Sequence, residues 1–162
     1  MRPPIQQFPS PNFRKWPNKR KVTCVVIHAT ATAKLSSPLE WLTIPESKVS
    51  AHYLIDLDGG VYQLVDENDV AWHGGQSSWK GKDHVNDFSI GIELVNSNDG
   101  IMEYPEPQIE ACRSLVASIC LERNIASDDV IGHLHIAPGR KPDPANFPWD
   151  DFKLRLYKDG VS

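Results

Sequence analysis

Four side chains in this sequence have the types and the placement to hold and use a metal ion. His133, Lys141 and Asp143 fall within GHLHIAPGRKPDP, residues 132–144, and His28 ends the apolar run VTCVVIH far upstream. Two imidazoles and a carboxylate suit Zn²⁺ and leave the fourth tetrahedral position free for water, which separates a catalytic zinc site from a closed structural one. That donor set points to metal-assisted hydrolysis. Pro138, Gly139, Pro142 and Pro144 forbid a continuous helix between His133 and Asp143, so the stretch reads as an irregular loop. Tertiary structure must therefore carry both groups to His28. The H-E-x-x-H arrangement of helical metalloproteases is absent.

Further groups stand close to this set in type or position. Glu93 interrupts the apolar run SIGIELV, where an unpaired carboxylate is costly to bury; such a group is either functional or half of a buried salt bridge. His135 lies two residues from His133. On a strand both would share a face, so spacing alone leaves it open as a ligand. Taken singly, His28 is more often a core histidine bonded to backbone than a ligand, and Asp143 reads equally as a turn cap before Pro144 and Lys141 as a solvated loop lysine.

The elements that must position these groups are legible in outline. Residues 21–28, rich in Val and Ile, read as a buried strand, and SSPLEWLTI as a short helix with a serine cap and a proline in its first turn. AHYLIDLDGGVYQLV reads as a hairpin turning at Asp58-Gly59-Gly60. FSIGIELVN is another apolar strand and DDVIGH a short one. Between them, residues 105–124 put Ile109, Cys112, Leu115, Val116, Ile119 and Cys120 on one helical face. A final helix should start near Trp149 and fray after Tyr157. The expected fold is α/β (α+β): a single domain with a central mixed β-sheet flanked by helices. Residues 1–20 carry five prolines and no periodic pattern, so they read as an extended N-terminal arm before a catalytic domain spanning 21–158.

Composition narrows the function classes. The chain has 162 residues, enough for one domain with a real core and too few for a substantial added module. A net charge of -4, with no basic helix or zinc knuckle, argues against a nucleic-acid partner. The basic run Arg14, Lys15, Lys19, Arg20 and Lys21 reads as solvated, or as attracted to an anionic wall polymer or membrane surface. Cys24, Cys112 and Cys120 show no C-x-x-C pairing and read as buried reduced thiols; Cys112 and Cys120 lie eight positions apart, roughly 12 Å along a helix, too far for a disulfide. No run reaches transmembrane length, and the first twenty residues lack the apolar centre of a signal peptide.

Five blocks, VVIHATAT, VSAHYLIDLDGGVYQLV, AWHGGQSSW, NDFSIGIELVN and GHLHIAPGRKPDP, together resemble the zinc N-acetylmuramoyl-L-alanine amidases, a superfamily that includes AmpD and AmiD enzymes, phage lysins and peptidoglycan recognition proteins. The match runs in order from about Ser10 to Phe152. The resemblance implies a peptidoglycan recognition protein-like fold with zinc in a groove on one sheet face. It implies His28, His133 and Asp143 as zinc ligands, Glu93 as general base for the zinc water, and Lys141 as stabiliser of the oxyanion. It places His52 and His73 on segments lining the substrate groove, to contact the muramyl peptide, to orient a ligand or to serve the structure. Trp72 and Trp79 are candidates to stack on sugar faces or else to pack as core, Asn86 to bond the peptide backbone, and Lys80 and Lys82 to bind stem-peptide carboxylates or else to be solvated. His135 falls where many relatives carry an acidic residue, and it is assigned to the surroundings of the site or to solvent; His84 reads as surface.

Two departures bear on substrate. Some phage amidases have a tyrosine before the histidine of the AHY segment where this chain has Ala51, and recycling enzymes often have an asparagine after the first zinc histidine where this chain has Ala29. The first shifts the acid/base role toward Glu93 and makes the site one of the AmpD/AmiD type; the second, with the segments LTIPESKVSAHYLI, VYQLVDENDVAWHGGQSSWKG and SIGIELVN, favours a wall hydrolase of the AmiD or lysin branch acting on intact peptidoglycan, in the periplasm or released as a lysin, and expected to be monomeric. Cytosolic recycling of anhydromuropeptides is the alternative within the family. A peptidoglycan-binding module without catalysis and a zinc peptidase cutting within the stem are the rivals outside it.

Overall fold

A computed structural model describes residues 1–162. In chain order the strands and helices are β1 (Ile5–Gln7), β2 (Phe13–Arg14), β3 (Cys24–Ala29), α1 (Ser36–Trp41), β4 (Tyr53–Ile55), β5 (Val61–Gln63), β6 (Val70–Ala71), β7 (Ser78–Trp79), β8 (Lys82–Asp83), β9 (Ser89–Leu94), α2 (Glu106–Arg123), β10 (Val130–Gly132), α3 (His133–Ile136) and α4 (Trp149–Lys158). Six strands form one sheet in the order β1-β5-β4-β9-β3-β10. Only β4 and β5 run antiparallel, as the expected hairpin; the other neighbours are parallel. The hairpin turn uses Gly59 at φ +87, where a Cβ would also meet the Pro107 carbonyl oxygen at 2.7 Å.

Alternation along the central strands divides the sheet into two faces. Val25 and Ile27 of β3 and Ile90, Ile92 and Leu94 of β9 point to one side, where α2 and α4 cover them in a core of 23 buried residues. Each such side chain contributes about 1.5–3 kcal/mol by leaving water. The other side carries Ser89, Gly91 and Glu93 of β9 opposite Cys24, Val26 and His28 of β3. Smaller apolar clusters around Leu54 and around Val26 cover part of that second face. What they leave open is the site. Cys24, Cys112 and Cys120 are free and buried, as expected.

Three local expectations are corrected. The N-terminal arm is not irregular throughout: β1 extends the sheet parallel to β5, and β2 pairs with β6. A three-residue edge strand with two exposed side chains leaves no apolar alternation to read, because its stability lies in backbone hydrogen bonds. Arg20 is not solvated but 2 % exposed, its guanidinium donating to the carbonyls of Glu67, Asn86 and Ser89 and meeting His52 Nε2 at 3.0 Å. Helix α1 begins after Leu35 with no side-chain cap and ends at Trp41, shorter than SSPLEWLTI suggested.

Candidate active site

Strand β3 delivers His28 at its C-terminal end, directly beside Glu93 of β9 in a parallel register. The stretch after β10 is not an irregular loop from its start: α3 opens at His133 with one helical turn, and the chain then returns so that the Asp143 carbonyl accepts from Leu134 N–H at 2.9 Å. That bond sets Asp143 beside His133. His28 Nδ1 lies 3.0 Å from His133 Nδ1, and Asp143 Oδ2 lies 3.3 and 3.2 Å from these two nitrogens. The three donor atoms fall within 4.8 Å of one another, and all three residues are buried. His135 takes no part. Two residues along a helix point to nearly opposite sides, so its ring packs on Trp149 while its Nδ1 accepts from Gly132 N–H at 2.8 Å.

The electrostatics suit a cation. Burial pushes the His28 pKa down and holds the imidazole neutral, the form that binds a metal. Burial works against ionisation of Asp143, but hydrogen bonds from His133 and His28 outweigh it and keep the carboxylate well below its usual range. Glu93 behaves in the opposite way. Burial, and then repulsion from Asp143, push its pKa up to about 8, and Oε2 is buried with no hydrogen-bond partner. No salt bridge accounts for it.

These residues sit in a groove of about 640 Å³, whose lining also includes Lys141, Trp72 and Trp41. That volume suits a substrate of drug-like size. Residues 18–146 match the family described as N-acetylmuramoyl-L-alanine amidase. The chain belongs to that family. The amidase is 33% identical to the 1,6-anhydro-N-acetylmuramyl-L-alanine amidase AmpD of Haemophilus influenzae, an alignment covering 91% of this chain and 89% of AmpD. It is 38% identical to the N-acetylmuramoyl-L-alanine amidase AmiD of Escherichia coli over 87% of this chain, and so spans about half, 54%, of AmiD. Among solved structures, an AmpD derivative superposes with a TM-score of 0.82 at 28% identity, covering 93% of both chains. Escherichia coli AmiD in complex with anhydro-N-acetylmuramic acid-L-Ala-D-gamma-Glu-L-Lys superposes with 0.76 at 34% identity, covering 92% of this chain and 61% of that one. The mixed sheet flanked by helices is the fold of these amidases.

Not every residue singled out in the amidase sequence reaches the groove. Trp72 lines it, half-buried. His52 is completely buried beneath it, its Nδ1 accepting from Gly91 N–H at 3.0 Å and its Nε2 next to the Arg20 guanidinium and the Asp69 carbonyl. Trp79 faces elsewhere and donates from Nε1 to Asp129 at 2.8 Å, and Lys80 pairs with the same carboxylate. Asn86 accepts from Gly74 N–H at 2.7 Å and so braces a loop. His73 lines the groove only by its edge, because both ring nitrogens are engaged within the protein, by His28 and by Ser89. His84 is exposed, as expected. Trp41, 56% exposed at the end of α1, joins the groove wall without any periodic signal that would have marked it.

Proposed function

We propose that the amidase holds one Zn²⁺ between His28, His133 and Asp143 and hydrolyses the amide joining the lactyl group of N-acetylmuramic acid to L-alanine. The observation that carries this is the convergence of three donor atoms within 4.8 Å at the floor of a groove, beside a carboxylate oxygen with no partner. Two imidazoles and an ionised carboxylate are the donors zinc takes in catalytic sites. Zinc held there supplies a Lewis acid that acidifies water and polarises the scissile carbonyl. Glu93, whose raised pKa makes it a competent base near neutrality, accepts a proton from the attacking water and returns it to the departing L-alanine amine. Lys141, exposed on the groove wall, places positive charge against the developing oxyanion. Trp72 and Trp41 offer aromatic faces to the sugar.

We further propose that the substrate is the polymeric wall, with intact N-acetylmuramic acid in a glycan strand, and that the enzyme works as a monomer at the bacterial cell wall, as an envelope amidase or a lysin. Ala29, on the groove wall after the first ligand, and the 38% identity to AmiD support this. The AmpD relative, similar over 91% of the chain, favours a second reading, cytosolic recycling of anhydromuropeptides. No helix is long and apolar enough to cross a membrane, which fits either reading. Purified enzyme given intact sacculi and soluble anhydromuropeptides in parallel should release stem peptides from both. Activity confined to the anhydro fragments would establish the recycling reading instead.

A further inference from the structure

A histidine bound to a metal through one ring nitrogen commonly donates from the other to a fixed acceptor, which sets its tautomer and the direction of its lone pair. In this site both acceptors come from one dipeptide. His133 Nε2 lies 3.2 Å from the carbonyl oxygen of Gly74. If His133 gives its Nδ1 to the metal in place of the hydrogen bond to Asp143, its Nε2 carries the proton and donates to this carbonyl, which only accepts. His28 Nε2 lies 2.9 Å from His73 Nδ1, and His73 Nε2 lies 2.9 Å from Ser89 Oγ. If His28 gives its Nδ1 to the metal, its Nε2–H donates to His73 Nδ1, and His73 Nε2–H donates to Ser89. Every proton in that chain then has an acceptor.

The dipeptide is itself held on all sides. Gly74 N–H donates to Asn86 Oδ1 at 2.7 Å, and the Arg140 guanidinium donates to the Gly74 carbonyl at 2.9 Å and to the Gln76 carbonyl at 2.6 Å. Room for the His73 ring over β9 comes from Gly91, where a Cβ would fall 2.4 Å from His73 Cγ. A glycine in the middle of an apolar strand marks just such a close approach. His73 is 8% exposed, so what it offers a ligand in the groove is slight beside what it offers His28.

We infer that His73-Gly74 is a positioning unit for the metal site, fixing the tautomer and orientation of both ligand imidazoles, and that His73 acts through His28 rather than on substrate. The inference rests on the proposed zinc ligation. Its test is zinc affinity, measured by competition with a chromophoric chelator on the full chain, together with nitrogen NMR of the zinc-loaded wild type. His73→Ala should weaken zinc about ten- to a hundredfold, the usual cost of losing such a partner. Ser89→Ala, nearly isosteric and so expected to fold, should weaken it less but in the same direction. In the wild type, a scalar coupling across the hydrogen bond should link His28 Nε2 to His73 Nδ1, and this readout needs no variant to fold. Unchanged zinc affinity in folded His73→Ala and Ser89→Ala, or a His28 protonated at Nδ1 in the zinc form, would overturn the inference. Failure of the wild type to bind zinc at one equivalent would instead overturn the ligation on which it rests.

Discussion

Replacing Glu93 by glutamine should have opposite effects on stability and on activity. In metal-free protein the carboxyl titrates near about 8 instead of its ordinary 4.5, because burial and the neighbouring Asp143 disfavour its charge. Between those two pH values the folded state keeps a proton that the unfolded state has lost, so stability falls as pH rises. The slope is about 1.4 kcal/mol per pH unit, and the whole interval would accumulate nearly 5 kcal/mol if nothing damped it. Glu93 borders a solvated groove, so about half of that, roughly 2 kcal/mol, is the expected cost by pH 8.5. Glutamine carries no charge and is almost the same shape. Chelator-treated Glu93→Gln should therefore match the wild type in urea unfolding at pH 4.5 and exceed it by about 2 kcal/mol at pH 8.5. Loaded with zinc, the same variant should bind metal normally yet lose about a hundredfold or more in kcat, the scale of a lost general base. Equal stability at both pH values would refute the buried, unpartnered carboxylate, and near-normal turnover would refute its role as base.

Three further outcomes follow from other contacts. Lys141→Ala should keep the fold and zinc while lowering kcat about a hundredfold with little change in KM, as measured by steady-state kinetics. Burial opposes ionisation of Glu67, but Arg2, Arg123 and Tyr53 hydrogen-bond its carboxylate and hold the pKa near about 2. The resulting stability, about 3 kcal/mol, is complete above the unfolded pKa near 4.5 and is lost as pH falls toward 2; Glu67→Gln should flatten that acid limb of the unfolding curve. Arg20→Met should cost about 3 kcal/mol or more in thermal or urea unfolding, since the carbonyls of Glu67, Asn86 and Ser89 lose their donor in a dry interior.

The parts of the fold that were readable in sequence are those whose burial has a period. SIGIEL alternates so that Ile90, Ile92 and Leu94 enter the helix-covered core while Ser89, Gly91 and Glu93 face the site, and α2 presents its apolar stripe as its spacing predicted. The grouping of His28, His133 and Asp143 was readable because donor chemistry is written in residue type, and the blocks around these residues are distinctive. What stayed hidden depends on contacts distant in sequence. Arg20 looks like one more lysine-rich surface charge until three carbonyls from two other segments surround it. His52 and His73 occupy similar motif positions, yet one lies under Gly91 with Arg20 and the other bridges His28 and Ser89. The need for glycine at position 91 emerges only in the fold, where the His73 ring fills the space a Cβ would take.

Zinc-dependent cleavage of the lactyl amide is open to direct product analysis with and without metal. Metal-stripped protein, wild-type protein restored with one equivalent of Zn²⁺, and Asp143→Ala treated in the same way should each be incubated with muropeptides, and the products weighed by mass spectrometry. Only the zinc-restored wild type should yield stem peptides with a free L-alanine amine together with muramic acid bearing a free lactyl carboxylate. Stems shortened from within while the lactyl amide stays intact, or equal cleavage by the metal-stripped protein, would contradict it.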